Sequence, residues 1–268
     1  MLVNLEYWEL KSPEGSVTLP RRYGPARVRP FPDFTTQSHR EYGNRVGIFG
    51  MAKLLDKYGV RATVPMDATV ARFYPYLVKE CLKRNWEIIG HGLTANRLIT
   101  SQMTEAEERN FIATCVAALK RATGRAPQGW YGVEYSESAR TPRLLAEAGV
   151  QYVCDWANDE QPYPMTANGL QIYSLPVMVD LDDHTTLGMR NVPITDYVDM
   201  VRETLETLDA DGAQNGRLFV LNLHPWMMGQ PYRLKYLDRI LENVTANRHV
   251  WNATGSEVVA WCKQHQRA

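Results

Sequence analysis

The strongest constraint on the fold is the alternation of short apolar runs with amphipathic stretches along the whole chain. Strand-like apolar runs are separated by helical patterns; the clearest runs lie at residues 61–66, 87–91, 127–131, 151–155 and 217–224. Further strands are predicted at residues 1–7, 171–179 and 250–251, and helices at residues 43–58 and from a capping box at Thr104 to near Gly124. Strands separated by helices are typical of parallel βαβ units, in which each connection crosses over through a helix. The alternation continues through all 268 residues without a linker. We therefore predict one α/β domain over residues 1–268.

Two architectures satisfy this alternation, a (β/α) barrel and a doubly wound open sheet. A nucleotide-binding open sheet has a Gly-rich phosphate loop after its first strand. Here the corresponding residues 4–9 read NLEYWE and contain no glycine. The sequence therefore favours the barrel.

Composition narrows the class of partner and the compartment. Lys plus Arg equals Asp plus Glu at 30 each, so no net field attracts nucleic acid or an acidic membrane surface. The four cysteines are far apart and predict buried thiols of a reduced protein, without a zinc site. The first residues lack the features of a signal peptide, and no apolar run approaches a membrane span. We predict a cytoplasmic protein with a small-molecule partner.

Polar side chains follow five of the predicted strands at the point where each strand ends. They are Glu6, His91, Tyr131, Asp155 and His224. In a (β/α) barrel the carboxyl ends of the strands meet at one mouth, where catalytic groups lie. A single histidine beside an apolar strand is more often a structural residue. Five polar residues from five strands favour a functional site.

The segments around these residues resemble the polysaccharide deacetylase superfamily. LNLHP at 221–225 is similar to its last motif, IIGHG at 88–92 to its histidine motif, and GWYG at 129–132 to its substrate-groove motif. Within that superfamily, the chain most resembles the allantoinase-like and cyclic imidase branch. The segments that carry this resemblance are YGNRVG at 42–47, CDWANDEQP at 154–162, HPW at 224–226 and GQPYR at 229–233. The resemblance spans nearly the whole chain. It implies a distorted (β/α) barrel with about seven parallel strands.

The departures from the superfamily pattern concern the metal. Metal-dependent members carry paired aspartates after the first strand, one as the base and one as a ligand, where this chain has Glu6 and Tyr7. They also carry a second histidine four residues after the first, where this chain has Ala95, followed by Asn96. A catalytic zinc ion takes three protein ligands. With two of the three missing, we predict no metal and no other cofactor.

The remaining groups suit the hydrolysis of an activated amide. The resemblance implies a hydrolase that opens a C–N bond of a small cyclic imide or ureide. We assign Glu6 as the base for water, His224 as the proton donor to the leaving nitrogen, and His91 as the group that holds the water or the oxyanion. Backbone N–H groups around residues 130–132 are candidate oxyanion donors.

Further residues near these motifs are candidates for substrate binding. Some have a structural alternative: aspartates cap helices or pair with arginine, tryptophans are often core residues, and a glutamate in a loop can be solvated. Arg45 is predicted at a helix start, where the dipole does not favour a cation, so it should point at a carboxylate such as Glu6. The candidates are Trp8, Arg45, Trp130, Tyr131, Glu134, Asp155, Trp156 and Asp159.

Two other functions compete with the cyclic imidase. One is a metal-dependent deacetylase of an N-acetylated sugar or peptidoglycan, which needs the missing metal ligands. The other is a non-catalytic carbohydrate-binding relative, which does not explain why Glu6, His91 and His224 occur together. We further expect a homodimer or homotetramer, a loop at residues 20–33 that covers the mouth, and one exposed barrel end where relatives carry a segment before the first strand.

Overall fold

Eight strands form one curled sheet in the computed structural model, which describes residues 1–11 and 31–265. The strand order is β6-β7-β5-β4-β3-β2-β1-β8, and every pair is parallel except the antiparallel hairpin of β6 and β7. The strands are β1 (Leu2–Val3), β2 (Thr63–Met66), β3 (Glu87–Gly90), β4 (Gly129–Trp130), β5 (Tyr152–Val153), β6 (Tyr163–Ala167), β7 (Leu170–Ser174) and β8 (Asn222–Leu223).

Helices connect the parallel strands and cover the outside of the sheet. They are α1 (Phe34–Tyr42), α2 (Ile48–Lys57), α3 (Ala68–Phe73), α4 (Pro75–Lys83), α5 (Glu105–Thr123), α6 (Thr141–Glu147), α7 (Ile194–Gly212), α8 (Pro231–Ala246) and α9 (Gly255–His265). Two π-helices, Gly43–Gly47 and His184–Met189, and two 3₁₀ turns, Val133–Tyr135 and Val179–Leu181, complete the described part of the chain.

The predicted distorted (β/α) barrel is confirmed, and seven of the eight strands run parallel to one another. All residues of β2 and β3 are buried, as expected for parallel strands with helices on one face and the barrel interior on the other. The helix predicted from residue 104 begins with the capping box of Thr104 and Glu107. It ends at Gly124, whose φ of 81° favours glycine.

The structure differs from the sequence prediction in four elements. The strand expected at residues 250–251 is absent, and the β6–β7 hairpin stands in place of one long strand near residues 171–179. Helix α1 was not predicted, because its residues show no clear apolar periodicity. The helix predicted over residues 43–58 begins as a π-helix. The predicted cover over the mouth, residues 20–33, lies almost entirely outside the described residues.

The end of the barrel at which the parallel strands begin contains a cavity of about 1000 Å³. Its lining includes Leu2, Tyr152, Val220 and Val258. Helix α9 and the segment before β8 border it. All four cysteines are buried, as predicted, and none forms a disulfide within the described residues. Among the described residues, no helix has the length and apolarity needed to cross a membrane.

Two glycines allow the chain after β8 to lie directly on the first π-helix. A Cβ atom at Gly47 would overlap the carbonyl oxygen of Pro225, and one at Gly229 would overlap the backbone of Gly47. Backbone atoms on both sides leave no flexible group that could move away. This contact therefore determines where the residues just after His224 lie.

We predict that Gly47→Ala destabilises the protein, because the added methyl group must displace backbone. The free energy of unfolding should fall by about 1–3 kcal/mol, the usual range for overpacking. Gly212→Ala is the matched control, since a Cβ atom at this end of α7 meets nothing within 4 Å. It should be neutral or stabilising by up to about 1 kcal/mol. Urea denaturation of the two variants checks this, and equal effects would contradict the packing argument.

Candidate active site

Glu6 occupies the centre of the mouth, just past the first strand, and three backbone contacts hold it there. Leu5 pairs with Met66 of β2 as an isolated bridge. The Asn44 side chain donates to the carbonyl oxygen of Glu6 at 2.7 Å. The next peptide N–H, that of Tyr7, donates to Asp67 at 2.5 Å. The Glu6 side chain is 8% exposed, so its carboxylate is nearly shielded from solvent.

His91 lies beside Glu6 at the end of β3, with its Nε2 atom 3.3 Å from Glu6 Oε1. Its Nδ1 atom is 2.5 Å from the carbonyl oxygen of Tyr131, which can only accept, so Nδ1 carries a proton. The Tyr131 ring stacks on the imidazole with a centroid separation of 5.2 Å. These two contacts fix the ring and direct Nε2 towards Glu6.

His224 faces Glu6 from the other side, at the end of β8. Its Nε2 atom is 3.8 Å from Glu6 Oε1, and its Nδ1 atom donates to Asp183 Oδ1 at 2.6 Å. Asp183 also accepts the backbone N–H of His224, at 2.9 Å to Oδ2. Asp183 is fully buried, and the sequence analysis missed it, because it precedes a π-helix in a segment without a periodic apolar pattern.

The charges of these residues depend on one another. Burial alone would lower the pKa of His224, but the adjacent Asp183 and Glu6 raise it to about 10. Burial alone would raise the pKa of Glu6, but the His224 cation and the hydrogen bond to His91 outweigh it and hold that pKa far below its usual range. At neutral pH a protonated His224 therefore lies between an ionised Glu6 and Asp183, whose own pKa is raised by burial and lowered by the adjacent His224, with a net increase.

Two tryptophans and an arginine form one wall of the site. Trp8 donates its indole N–H to Glu6 Oε2 at 3.3 Å. The buried guanidinium of Arg40 lies over the rings of Trp8 and Trp226, 4.5 and 3.4 Å from their centroids. A cation over an indole face is attracted by the ring quadrupole. Arg40 also lowers the pKa of Glu6, after the larger effects of burial and the two histidines.

Arg45 faces a carboxylate, as predicted, but that carboxylate is not the suggested Glu6. Its side chain is 67% exposed and lies 4.0 Å from Glu41, one helical turn earlier. Arg40 takes the predicted place near Glu6. The register error arises because helix α1 was not recognised in the sequence, so the face on which each arginine lies could not be assigned.

In the segment after β4, two of the backbone N–H groups that were predicted to be oxyanion donors are already hydrogen-bonded within the fold. The N–H of Tyr131 donates to Gly90 at 2.9 Å, and that of Gly132 donates to Asp155 Oδ1 at 2.6 Å. These two N–H groups are therefore not oxyanion donors. Asp155 holds this turn, and burial together with Glu137 raises its pKa well above the usual range. A structural role, hydrogen bonding within this turn, therefore describes Asp155 better than substrate binding does.

Glu134 lies in the turn after β4 and faces the site. Its φ of 52° is left-handed, which costs on the order of 1–3 kcal/mol for a residue other than glycine and is typical of functional positions. Its Oε1 atom is 3.6 Å from Nδ1 of His184, which the sequence analysis did not single out. The His184 ring lies 5.7 Å from that of His224.

Three other predicted substrate-binding residues lie away from this centre or in the core. Trp130 is fully buried and its ring packs against Gly90, so core packing accounts for its position. Asp159 is exposed and accepts the N–H groups of Glu160 and Gln161, which is a turn contact. Trp156 is 41% exposed in the same loop, and no described contact links it to Glu6.

The residues at the superfamily's metal-ligand positions do not fit a metal ion. The Tyr7 ring packs edge-on against Phe73 at 5.5 Å, and Ala95 is buried and offers no ligand atom. Asn96 exchanges hydrogen bonds with the backbone of Glu9. This leaves His91 alone among the expected ligands.

A second cluster has the residue types of a metal site, since ligand atoms of Asp182, Asp183 and His224 lie within 4.8 Å of one another. Its oxygens are already used inside the fold. Asp183 accepts the backbone N–H and the ring Nδ1–H of His224. Asp182 accepts from Tyr135 at 2.9 Å and from the backbone N–H of Thr185 at 2.8 Å. The cluster is therefore a hydrogen-bonding network around His224.

Comparison with known proteins supports the resemblance stated above. The family model described as Polysaccharide deacetylase matches residues 47–153. A Schizosaccharomyces pombe protein named "Putative polysaccharide deacetylase" is 23% identical over 258 residues, which cover 88% of this chain and 79% of that protein. The predicted resemblance to the polysaccharide deacetylase superfamily is confirmed.

Solved structures show the same fold. The crystal structure titled PuuE allantoinase superposes with a TM-score of 0.85 at 23% identity, covering 100% of this chain and 90% of that one. A "probable Polysaccharide deacetylase" from Pseudomonas aeruginosa PAO1 gives a TM-score of 0.85 at 22% identity, covering 100% and 91%. At these identities the likeness shows the fold alone.

We predict that Asp183→Asn lowers the pKa of His224 from about 10 towards its ordinary value of 6.5, because the main group that stabilises the cation becomes neutral. An NMR titration of the His224 ring nitrogens measures this. Asp209→Asn is the matched control, since it changes a surface Asp–His pair, with His249 at 2.9 Å. A His224 titration that is unchanged in a folded Asp183→Asn protein would contradict the assignment.

Proposed function

We propose that this polysaccharide deacetylase-like chain is a hydrolase that opens a C–N bond of a small cyclic imide or ureide without a bound metal. The observation that carries the proposal is the position of Glu6 Oε1, 3.3 Å from Nε2 of His91 and 3.8 Å from Nε2 of His224. A hydrolase of this kind needs a proton acceptor for water and a proton donor for the leaving nitrogen at one place. The superfamily supports the coarser assignment, a hydrolase of C–N bonds.

The resting charges match these two roles. Glu6 is ionised and can accept a proton, and His224 is protonated and can donate one. The low pKa of Glu6 makes it a weak base at rest, but that low value depends on the His224 cation. Once Glu6 has taken a proton from water, it no longer stabilises the His224 cation, so His224 gives up its proton to the leaving nitrogen more readily. The first proton transfer therefore assists the second.

The reaction balances with these groups alone. Water attacks one ring carbonyl while Glu6 takes one of its protons, and His91 holds the water. The ring C–N bond then breaks, and the nitrogen keeps the bonding electrons and receives the proton of His224 Nε2. The products are a carboxylic acid and an amide on one open chain. The proton on Glu6 returns to His224 across their 3.8 Å gap and restores the resting state.

The substrate should have a nitrogen that leaves readily, because the proposed acid and base act without a metal ion. The leaving nitrogen of an imide is stabilised by a second carbonyl, so it leaves more readily than that of an ordinary amide. A protein without a Lewis acid can open such a ring with general acid and base groups, which typically contribute factors of about 10²–10⁴. The cytoplasmic location and the homo-oligomeric state expected from the sequence stay predictions.

The first test of this function is Glu6→Gln, which keeps the shape of the side chain but removes proton acceptance. Turnover of the best substrate in a panel of succinimide, hydantoin and allantoin should fall by roughly 10²–10⁴. The KM should change far less. His224→Asn should cost a similar factor, since the leaving nitrogen loses its donor. Glu242→Gln is the control, because Glu242 is an exposed residue of α8. A folded Glu6→Gln protein with most of its activity would rule out the mechanism.

The second test concerns the metal. We expect ring opening by the wild-type protein to survive EDTA and dialysis, because the expected ligand positions hold Tyr7 and Ala95. Metal analysis of the purified protein should show less than stoichiometric zinc, nickel or cobalt. About one equivalent of metal, together with loss of activity in chelator and its return on adding the ion, would instead support a metal-dependent deacetylase.

A further inference from the structure

The turn after β4 holds two consecutive side chains in an unusual backbone conformation. Glu134 and Tyr135 have φ values of 52° and 59°, both in the left-handed region that favours glycine. Tyr135 is held by its hydroxyl group, which donates to Asp182 at 2.9 Å, and by an edge-on contact with Tyr131. The Gly132 N–H bond to Asp155 holds the start of the same turn. The fold therefore maintains a conformation that the residues themselves do not favour.

The consequence of this conformation is the direction of the Glu134 side chain, which points into the site rather than into solvent. Only 22% of the side chain is exposed, and its Oε1 atom lies 3.6 Å from Nδ1 of His184. His184 packs in turn against the rings of His224 and Trp226, at 5.7 and 5.4 Å. The carboxyl group is thus separated from the acid His224 by one imidazole ring.

We propose that Glu134 recognises the imide edge of the substrate, with a carboxyl oxygen accepting the ring N–H. The N–H of an imide is more acidic than that of an ordinary amide, so it is a strong donor for a largely buried carboxyl oxygen. The inference rests on the proposed function and narrows its substrate class to rings with an unsubstituted imide N–H.

The surroundings raise the proton affinity of the Glu134 carboxyl group, which strengthens it as a hydrogen-bond acceptor. Burial and then Glu6 raise its pKa above the usual value, with a smaller contribution from Asp182. His224 and Arg40 act in the opposite direction but do not outweigh burial. His184, the neighbour in contact, supplies no cation at neutral pH, because burial and Arg40 lower its pKa to about 3.

This role is compatible with that of His224. The N–H bond of an imide lies in the plane of the ring, whereas the nitrogen lone pair, which no longer conjugates with the attacked carbonyl once water has added to it, lies out of that plane. Glu134 can therefore hold the N–H while His224 protonates the nitrogen from the ring face. The His184 and His224 rings are inclined at 67°, so the groups at this wall approach from different directions.

The test compares succinimide with N-methylsuccinimide, which lacks the N–H. Wild-type protein should prefer succinimide by about 10- to 100-fold in kcat/KM, the effect of leaving a buried polar group unpaired. Glu134→Ala should reduce this preference to within about threefold of one, mainly through a higher KM for succinimide. Glu134→Gln should keep most of the preference, because the amide oxygen also accepts the ring N–H.

Two further measurements make the outcome decisive. Glu134→Gly removes the side chain without the backbone strain, so it replaces Glu134→Ala if the latter does not fold, and Glu242→Gln is again the control. Calorimetric binding of the two imides to Glu6→Gln protein tests recognition without turnover. If no imide is hydrolysed but this preference in binding depends on Glu134, the proposed function fails and the recognition stands. A preference that persists in folded Glu134→Ala or Glu134→Gly protein, or no imide binding at all, would overturn the inference.

Discussion

A buried cation between two carboxylates organises the site of this protein. His224 lies between Asp183 and Glu6, and each of the three depends on the others for its charge. Leaving one charge of such a pair buried and unpaired typically costs about 3–5 kcal/mol. The segments that carry these residues must therefore stay in register, and the glycine contact of Gly47 with the turn after β8 and the hydrogen bonds of Asp182 serve that requirement.

The fold and the centre of the site were predictable from the sequence because both follow from simple periodic rules. Alternating strands and helices imply parallel crossover units, and the carboxyl ends of parallel strands meet at one mouth. This placed Glu6, His91 and His224 together without any knowledge of distances. Tyr131 and Asp155 also lie where the rule puts them, although they support other groups instead of facing the substrate.

The remaining site residues could not be predicted because they lie in segments without a repeating pattern. Asp183 and His184 stand at the start of a π-helix, where the usual helical spacing does not apply. Glu134 was a candidate for substrate binding, but its direction depends on a left-handed backbone, which the residue type does not indicate. Arg40 was missed in favour of Arg45, because choosing between them required the start of helix α1.

The proposed mechanism requires a protonated His224 opposite an ionised Glu6 in the resting site, so that the acid and the base are prepared before the substrate enters. Neutron diffraction from crystals exchanged into D₂O near pH 7 observes these protons directly. We expect deuterium on both Nδ1 and Nε2 of His224 and none on either oxygen of Glu6. Deuterium on Glu6, or a His224 ring that carries only one, would contradict it.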